Sequence, residues 1–301
     1  LEAAAVSLLF LLGGHLENYA LRNLRAAFKD AANQFLPNGD MAAQEAFIEY
    51  LEAAHESKPA AAKRLDEFAK LYTPLVVLLS CVVYILTNNF HMAIACFVGA
   101  CPGALVIGAP LSSFAGIGTG VKNGVLVKGG DVMAKLATVD AVVVDKAVVA
   151  SSVKGKTDPA FETMRRNGIK RIISLADDRS PTGDEAETAL WEDEIAVIKR
   201  LRTAGYTVAL VGKEGDNARV FASADIWATV GNTVAALDCA EVILTKSTLA
   251  QFAYAHGLAK STLRNMKQNI CFALVSAVAL LLVIVSGSFH MAAGMLIHEV
   301  G

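Results

Sequence analysis

The sequence predicts an α-helical transmembrane bundle joined to a doubly wound, Rossmann-like α/β domain on the cytosolic side. Three observations predict this. Residues 71–121 contain no Asp, Glu, Lys or Arg, enough chain to cross a hydrocarbon core of about 30 Å twice with a turn at Thr87-Asn88-Asn89. A second uncharged run covers 270–286, directly after Arg264 and Lys267. Between the two, apolar runs of strand length alternate with stretches of helical periodicity, as in a parallel sheet covered on both faces.

Composition agrees with this mixture. The 301 residues are 54% hydrophobic and 19% charged, with a mean hydropathy of +0.45, too apolar for an ordinary soluble protein. A net charge of -2 and a pI near 6.3 leave no basic footprint for nucleic acid. The cysteines Cys81, Cys96, Cys101, Cys239 and Cys271 form no CxxC pair and no secreted-scaffold spacing, so free thiols are expected.

Residues 1–30 read as a transmembrane helix whose basic end, carrying Arg22, Arg25 and Lys29, lies in the cytosol. His15 and Glu17 near that end suit either metal entry or simply a solvated helix terminus. The chain starts inside one apolar run and stops inside another, so both ends are expected to cut through larger membrane segments. The flanking charges do not fit a signal peptide. Residues 31–70 read as a short cytosolic linker, with a turn at Pro37-Asn38-Gly39-Asp40, and an amphipathic helix interrupted at Lys58-Pro59.

Residues 71–121 supply two transmembrane helices, about 71–86 and 92–111. The second holds Cys101-Pro102-Gly103. Pro102 has no N–H to donate, so it frees carbonyls one turn earlier, and Cys101 sets a soft thiol beside them. That pairing suits a transition metal of the Zn or Cu class better than Ca or Mg. The plainer alternative is a kinked, packed helix with a small buried thiol.

Residues 122–262 form the α/β domain. Strands are expected at 141–144, 171–175, 207–211, 226–230 and 242–245, and helices at 158–167, 185–204 and 217–223. Asp145 stands at the C-terminal end of the first of these strands, the edge where such sheets bind ligands. Residues 263–301 hold two more membrane segments, the last incomplete, with His298 and Glu299 as intramembrane candidates for function.

The run Gly124-Val125-Leu126-Val127-Lys128-Gly129-Gly130, followed by Val142-Val143-Val144-Asp145-Lys146 and preceded by Cys101-Pro102, resembles the heavy-metal-transporting P-type ATPases. The resemblance implies a phosphorylation domain of the haloacid dehalogenase type, Asp145 as the phosphorylated residue, and Mg²⁺ and ATP as cofactors. It implies a metal ion as cargo, an integral membrane location, and His298-Glu299 as part of a metal path with Cys101. The chain is also shortened against that pattern, with about a dozen residues where an actuator domain is expected and no nucleotide-binding domain after Asp145.

The family's motifs are degenerate here. Asp145-Lys146 match the start of Asp-Lys-Thr-Gly-Thr, but Ala147 replaces the first threonine. Asp178 matches the end of Leu-Thr-Gly-Asp, with Ala176 at its threonine. Glu194 falls where a phosphate-binding lysine is expected, and Lys213 where an aspartate would hold Mg²⁺, with Asp216 available only by a slipped pairing. Losing one donor to a developing anion costs on the order of 3 kcal/mol, and several are replaced. The expectation is a catalytically impaired pseudo-pump that binds or helps regulate metal, alone or beside an intact pump, with Lys213 or Lys146 ion-paired to Asp145. The alternative is a working Zn/Cu/Cd/Co-type translocating ATPase whose other domains lie elsewhere or act in trans. A small phosphatase is a third reading, opposed by the same replacements.

Overall fold

The computed structural model describes residues 60–99, 103–152, 159–176, 187–190, 193–213, 222–231, 240–245 and 248–285, with isolated positions elsewhere. The chain divides into two compact units. One takes in Leu1–Arg25, Lys58–Ser112 and Arg264–Gly301, the other Ala26–Ser57 and Ser113–Leu263.

In the first unit, α1 (Ala60–Thr87) turns at Asn88, whose φ is 51°, into α2 (Phe90–Gly99). The turn is tied by side chains: Thr87 Oγ1 donates to Val83 O at 2.7 Å, and Asn89 Oδ1 accepts from Met92 N at 3.2 Å. Val83, Ala95 and Cys96 are buried together, with Leu79 and Met92 against them. From residue 71 onward α1 exposes a series of apolar side chains, including Leu71, Leu75, Leu78, Ile85 and Leu86. Among the described residues one helix, Lys70–Thr87 within α1, is long and apolar enough to cross a membrane, with a mean hydropathy of 1.8. The helix α3 (Gly103–Lys122) follows α2, and Cys101 and Pro102 between them lie outside the described residues.

The second unit is built on a seven-stranded sheet in the order β1-β7-β6-β5-β2-β3-β4. The strands are β1 (Val125–Val127), β2 (Ala141–Val144), β3 (Arg171–Ala176), β4 (Glu187–Leu190), β5 (Val208–Lys213), β6 (Ile226–Val230) and β7 (Val242–Leu244). All pairings from β2 to β7 are parallel, while β1 joins β7 antiparallel. Runs such as Ala141–Val144 are buried along their whole length, as expected of strands covered on both faces. On one face Val143, Ile173 and Leu210 pack with Val197, Ile198 and Leu201 of α7 (Glu194–Thr203). The alternate residues Val142, Val144, Ile172 and Val211 are buried on the other face.

The remaining helices of this unit are α4 (Gly130–Leu136), α5 (Lys146–Ser152), α6 (Pro159–Arg166) and the start of α8 (Leu249–Val285). Several sequence expectations change here. The helix expected over 185–204 is a strand followed by a helix: β4 pairs with β3 from Ile173↔Glu187 to Ala176↔Leu190, and α7 starts only after Asp193, whose carboxylate accepts from Ile195 N. Sheet pairing overrides the helical periodicity there, and the cap sets the boundary. The short α5 begins directly after Asp145, where the sequence reading placed its helix only beyond residue 157. The strand β1, unforeseen, starts after Gly124, whose φ of 75° permits the turn out of α3. Finally α8 runs unbroken through the position where a domain boundary and a new span were expected.

Candidate active site at the end of the central strand

The strand order reverses around β2: the chain moves outward through β3 and β4, then returns to β5 on the other side. In such sheets ligands bind at this switch point, beyond the C-terminal ends of the strands. Asp145 sits there, 4% exposed, and its N–H donates to Val211 O of β5 at 2.9 Å. Ser174 on β3 and Val211 on β5 are both in register with Val144.

The Asp145 side chain has a structural task. Its Oδ2 accepts from Ala147 N at 3.1 Å, and its carbonyl accepts from Val148 N and Val149 N, each at 3.0 Å. Asp145 is therefore the N-cap of α5, with the carboxylate satisfying one of the otherwise orphaned N–H groups of the first turn. Lys146 and Ala147 next to it are exposed.

The other motif positions fall around this point unevenly. Ala176 ends β3 and Lys213 ends β5, each two residues beyond a register partner of Val144, so both flank Asp145 on the same edge. Lys213 is exposed. Among the described residues no ion pair joins Lys213 or Lys146 to Asp145. Each ammonium is carried on an exposed side chain, and the carboxylate bonds to the N–H of Ala147 instead. Glu194 opens α7, beyond β4, at partial exposure. Asp178, Asp216, Cys101, Pro102, His298 and Glu299 lie outside the described residues, and Gly103 begins α3. Among the described residues no three His, Cys, Asp or Glu side chains gather as a metal site.

Three buried polar groups of this unit carry no signal in the sequence. Ser174 Oγ is fully buried and has no hydrogen-bond partner, and Thr229 Oγ1 on β6 is in the same state. Neither hydroxyl carries a signal in an isolated sequence, because only the register of β3 and β6 reveals its burial. The third is His256 on α8, fully buried, with Nε2 3.1 Å from Val139 O and Nδ1 unpartnered. Burial, reinforced by the nearby Lys260 charge, lowers its pKa to about 4 despite the opposing Val139 bond, so the ring is neutral at pH 7 and Nε2–H donates.

No family model matches the chain. Curated relatives do. It is 32% identical over 138 residues to a silver exporting P-type ATPase of Salmonella typhimurium, covering 42% of this chain and 17% of the relative. It is 36% identical over 141 residues to a zinc-transporting ATPase of Synechocystis sp., covering 43% and 19%. A cadmium-transporting ATPase of Staphylococcus aureus is 35% identical over 108 residues, covering 33% and 15%. The chain thus matches less than a fifth of the length of these relatives. Its fold is similar to that of a zinc-transporting PIB-type ATPase in the E2.Pi state, at a TM-score of 0.60 and 17% identity over 85% of this chain and 65% of the other. The same kind of protein in the E2P state gives 0.59.

Proposed function

We propose, from a chain that is a relative of the heavy-metal-transporting P-type ATPases, that this protein is an integral membrane, metal-handling member in which the phosphoryl-transfer centre is retired. The reading rests on one observation above others. At the catalytic position one carboxylate oxygen, Oδ2, caps α5 through Ala147 N, and the residue that supplies this N–H brings no hydroxyl to hold a transferred phosphoryl group. Phosphoryl transfer is catalysed by positioned donors and cations around the transferred group, and the carboxylate must be available as nucleophile.

Magnesium does not fit the described donor set. It needs carboxylate and water oxygens in near-octahedral order, but the described end of β5 next to Asp145 offers Lys213, a cationic residue, where the resembled family has an aspartate. ATP-driven turnover therefore has no evident support at this edge, and no catalytic step is assigned to it.

Metal handling is the surviving half of the proposal. Cys101 beside Pro102 supplies a soft ligand at a helix break, with His298 and Glu299 as further donors, and the cargo is an ion of the Zn or Cu class. The α/β domain lies on the cytosolic side, held there by the basic residues that precede the apolar runs. The partner of such a protein is an intact pump in the same membrane.

The test joins two readouts. Vesicles carrying the purified chain and supplied with Mg·ATP are expected to accumulate neither Zn²⁺ nor Cu⁺, while the detergent-solubilised protein retains a soft metal ion that Cys101→Ala releases. ATP-dependent accumulation would establish the working-transporter alternative, and metal retention unaffected by Cys101→Ala would remove the proposed ligand.

A further inference from the structure

We infer that α8 carries a binding site for an anionic phospholipid on its outer face, with Arg264 and Lys267 as the headgroup contacts. The inference rests on the membrane location proposed above. Six residues at helical spacing, Arg264, Lys267, Cys271, Leu274, Val278 and Leu282, fall on one stripe of α8, and all six are exposed. Met266, which is off this stripe, is 2% exposed, so the helix has an inner side and an outer one. The outer side changes chemistry once along its length, from cationic to apolar.

Dimensions match one leaflet. From Cys271 to Leu282 the helix rises about 16 Å at about 1.5 Å per residue, half of a hydrocarbon core about 30 Å thick. Leu282 is 65% exposed and Val278 59%, so the described residues leave the apolar part of the stripe uncovered. The two cations stand one to two turns before it, at headgroup depth, and their long stems reach toward the interface. Exposed Asn265 and Gln268 add neutral hydrogen-bond donors beside them.

The charge is one-sided. The whole of Leu249–Val285 contains no Asp or Glu, so no intrahelical partner competes for Arg264 or Lys267. A phosphodiester carrying a net negative charge, as in phosphatidylglycerol, complements such a pair, while a zwitterionic headgroup brings its own cation and offsets the gain. A second protein helix is the other occupant that an exposed apolar stripe attracts. The cation pair at its head, with no acidic residue on this helix to balance it, favours lipid.

The experiment uses the full chain in detergent, titrated with phosphatidylglycerol or phosphatidylcholine, with bound lipids counted by native mass spectrometry. Phosphatidylglycerol is expected to bind more tightly, by about fivefold for each cation engaged. Arg264→Gln with Lys267→Gln is expected to abolish the preference, and Gln268→Lys to raise it about fivefold. Equal binding of the two lipids, or a preference unchanged in the double variant, would overturn the inference. A stable dimer that excludes lipid would also overturn it and assign the stripe to a second helix. Alkaline extraction of the expressing membranes is scored separately: a chain released by alkali was never inserted, and then the membrane reading fails first.

Discussion

His256 and Ser174 show how single buried groups govern this domain. The His256 ring is neutral when folded, with a pKa lowered to about 4, against about 6.5 in an unfolded chain. Between these values the unfolded state takes up a proton that the folded state refuses. Stability is therefore full above about pH 6.5 and falls as pH drops toward 4, by roughly 3 kcal/mol at most. Denaturant midpoints measured between pH 7 and pH 4 should show that fall, and His256→Gln should flatten it. A pH dependence unchanged in that variant would assign it to the acidic residues. Ser174 and Thr229 point the other way. A buried hydroxyl without a partner costs on the order of 1 kcal/mol, so Ser174→Ala and Thr229→Val are each expected to raise the unfolding midpoint. A lowered midpoint would mean that these hydroxyls are satisfied in solution.

At the scale of elements, the junction of α3, β1, β7 and α8 is held by one amide. Gln251 Nε2 donates to Asn123 O at 3.0 Å and Gly124 O at 2.9 Å, and Thr245 N and Oγ1 both donate to the same Gly124 carbonyl. Gln251→Leu should cost about 1 kcal/mol, the worth of the lost hydrogen bonds, because Gly124 O keeps both Thr245 donors and only Asn123 O loses its donor. Gly120 on α3 approaches this turn so closely that a Cβ would lie 2.9 Å from Val125 O. Gly120→Ala is expected to destabilise by a similar amount, read from the same unfolding curves. These contacts were not legible in the sequence, since a glutamine and a glycine in helical runs carry no mark of what crosses them. The strands at 141–144 and 226–230 were legible, because Ala-Val-Val-Val and Ile-Trp-Ala-Thr-Val are apolar and β-branched over their whole length. The strand β4 was not. Glu187-Thr188-Ala189-Leu190 has no strand composition of its own and takes its form from the open edge of β3.

For the whole molecule, the position of the candidate site was readable and its internal state was not. An aspartate after an apolar run, at the first turn of a βα unit, marks the switch point of a parallel sheet by pattern alone, and Asp145 lies there. A buried carboxylate seeks a cation, so the sequence predicts a lysine partner for Asp145. The helix that follows immediately supplies a backbone N–H instead, and a cap needs no second charge. The proposed loss of phosphoryl transfer turns on that small difference, an aspartate that caps the helix following it. The direct measurement is acid-quenched labelling of the full chain with γ-labelled ATP, Mg²⁺ and Zn²⁺ or Cu⁺, beside Asp145→Asn. No acid-stable phosphoenzyme is expected in either protein, and a metal-dependent label lost in Asp145→Asn would contradict the claim.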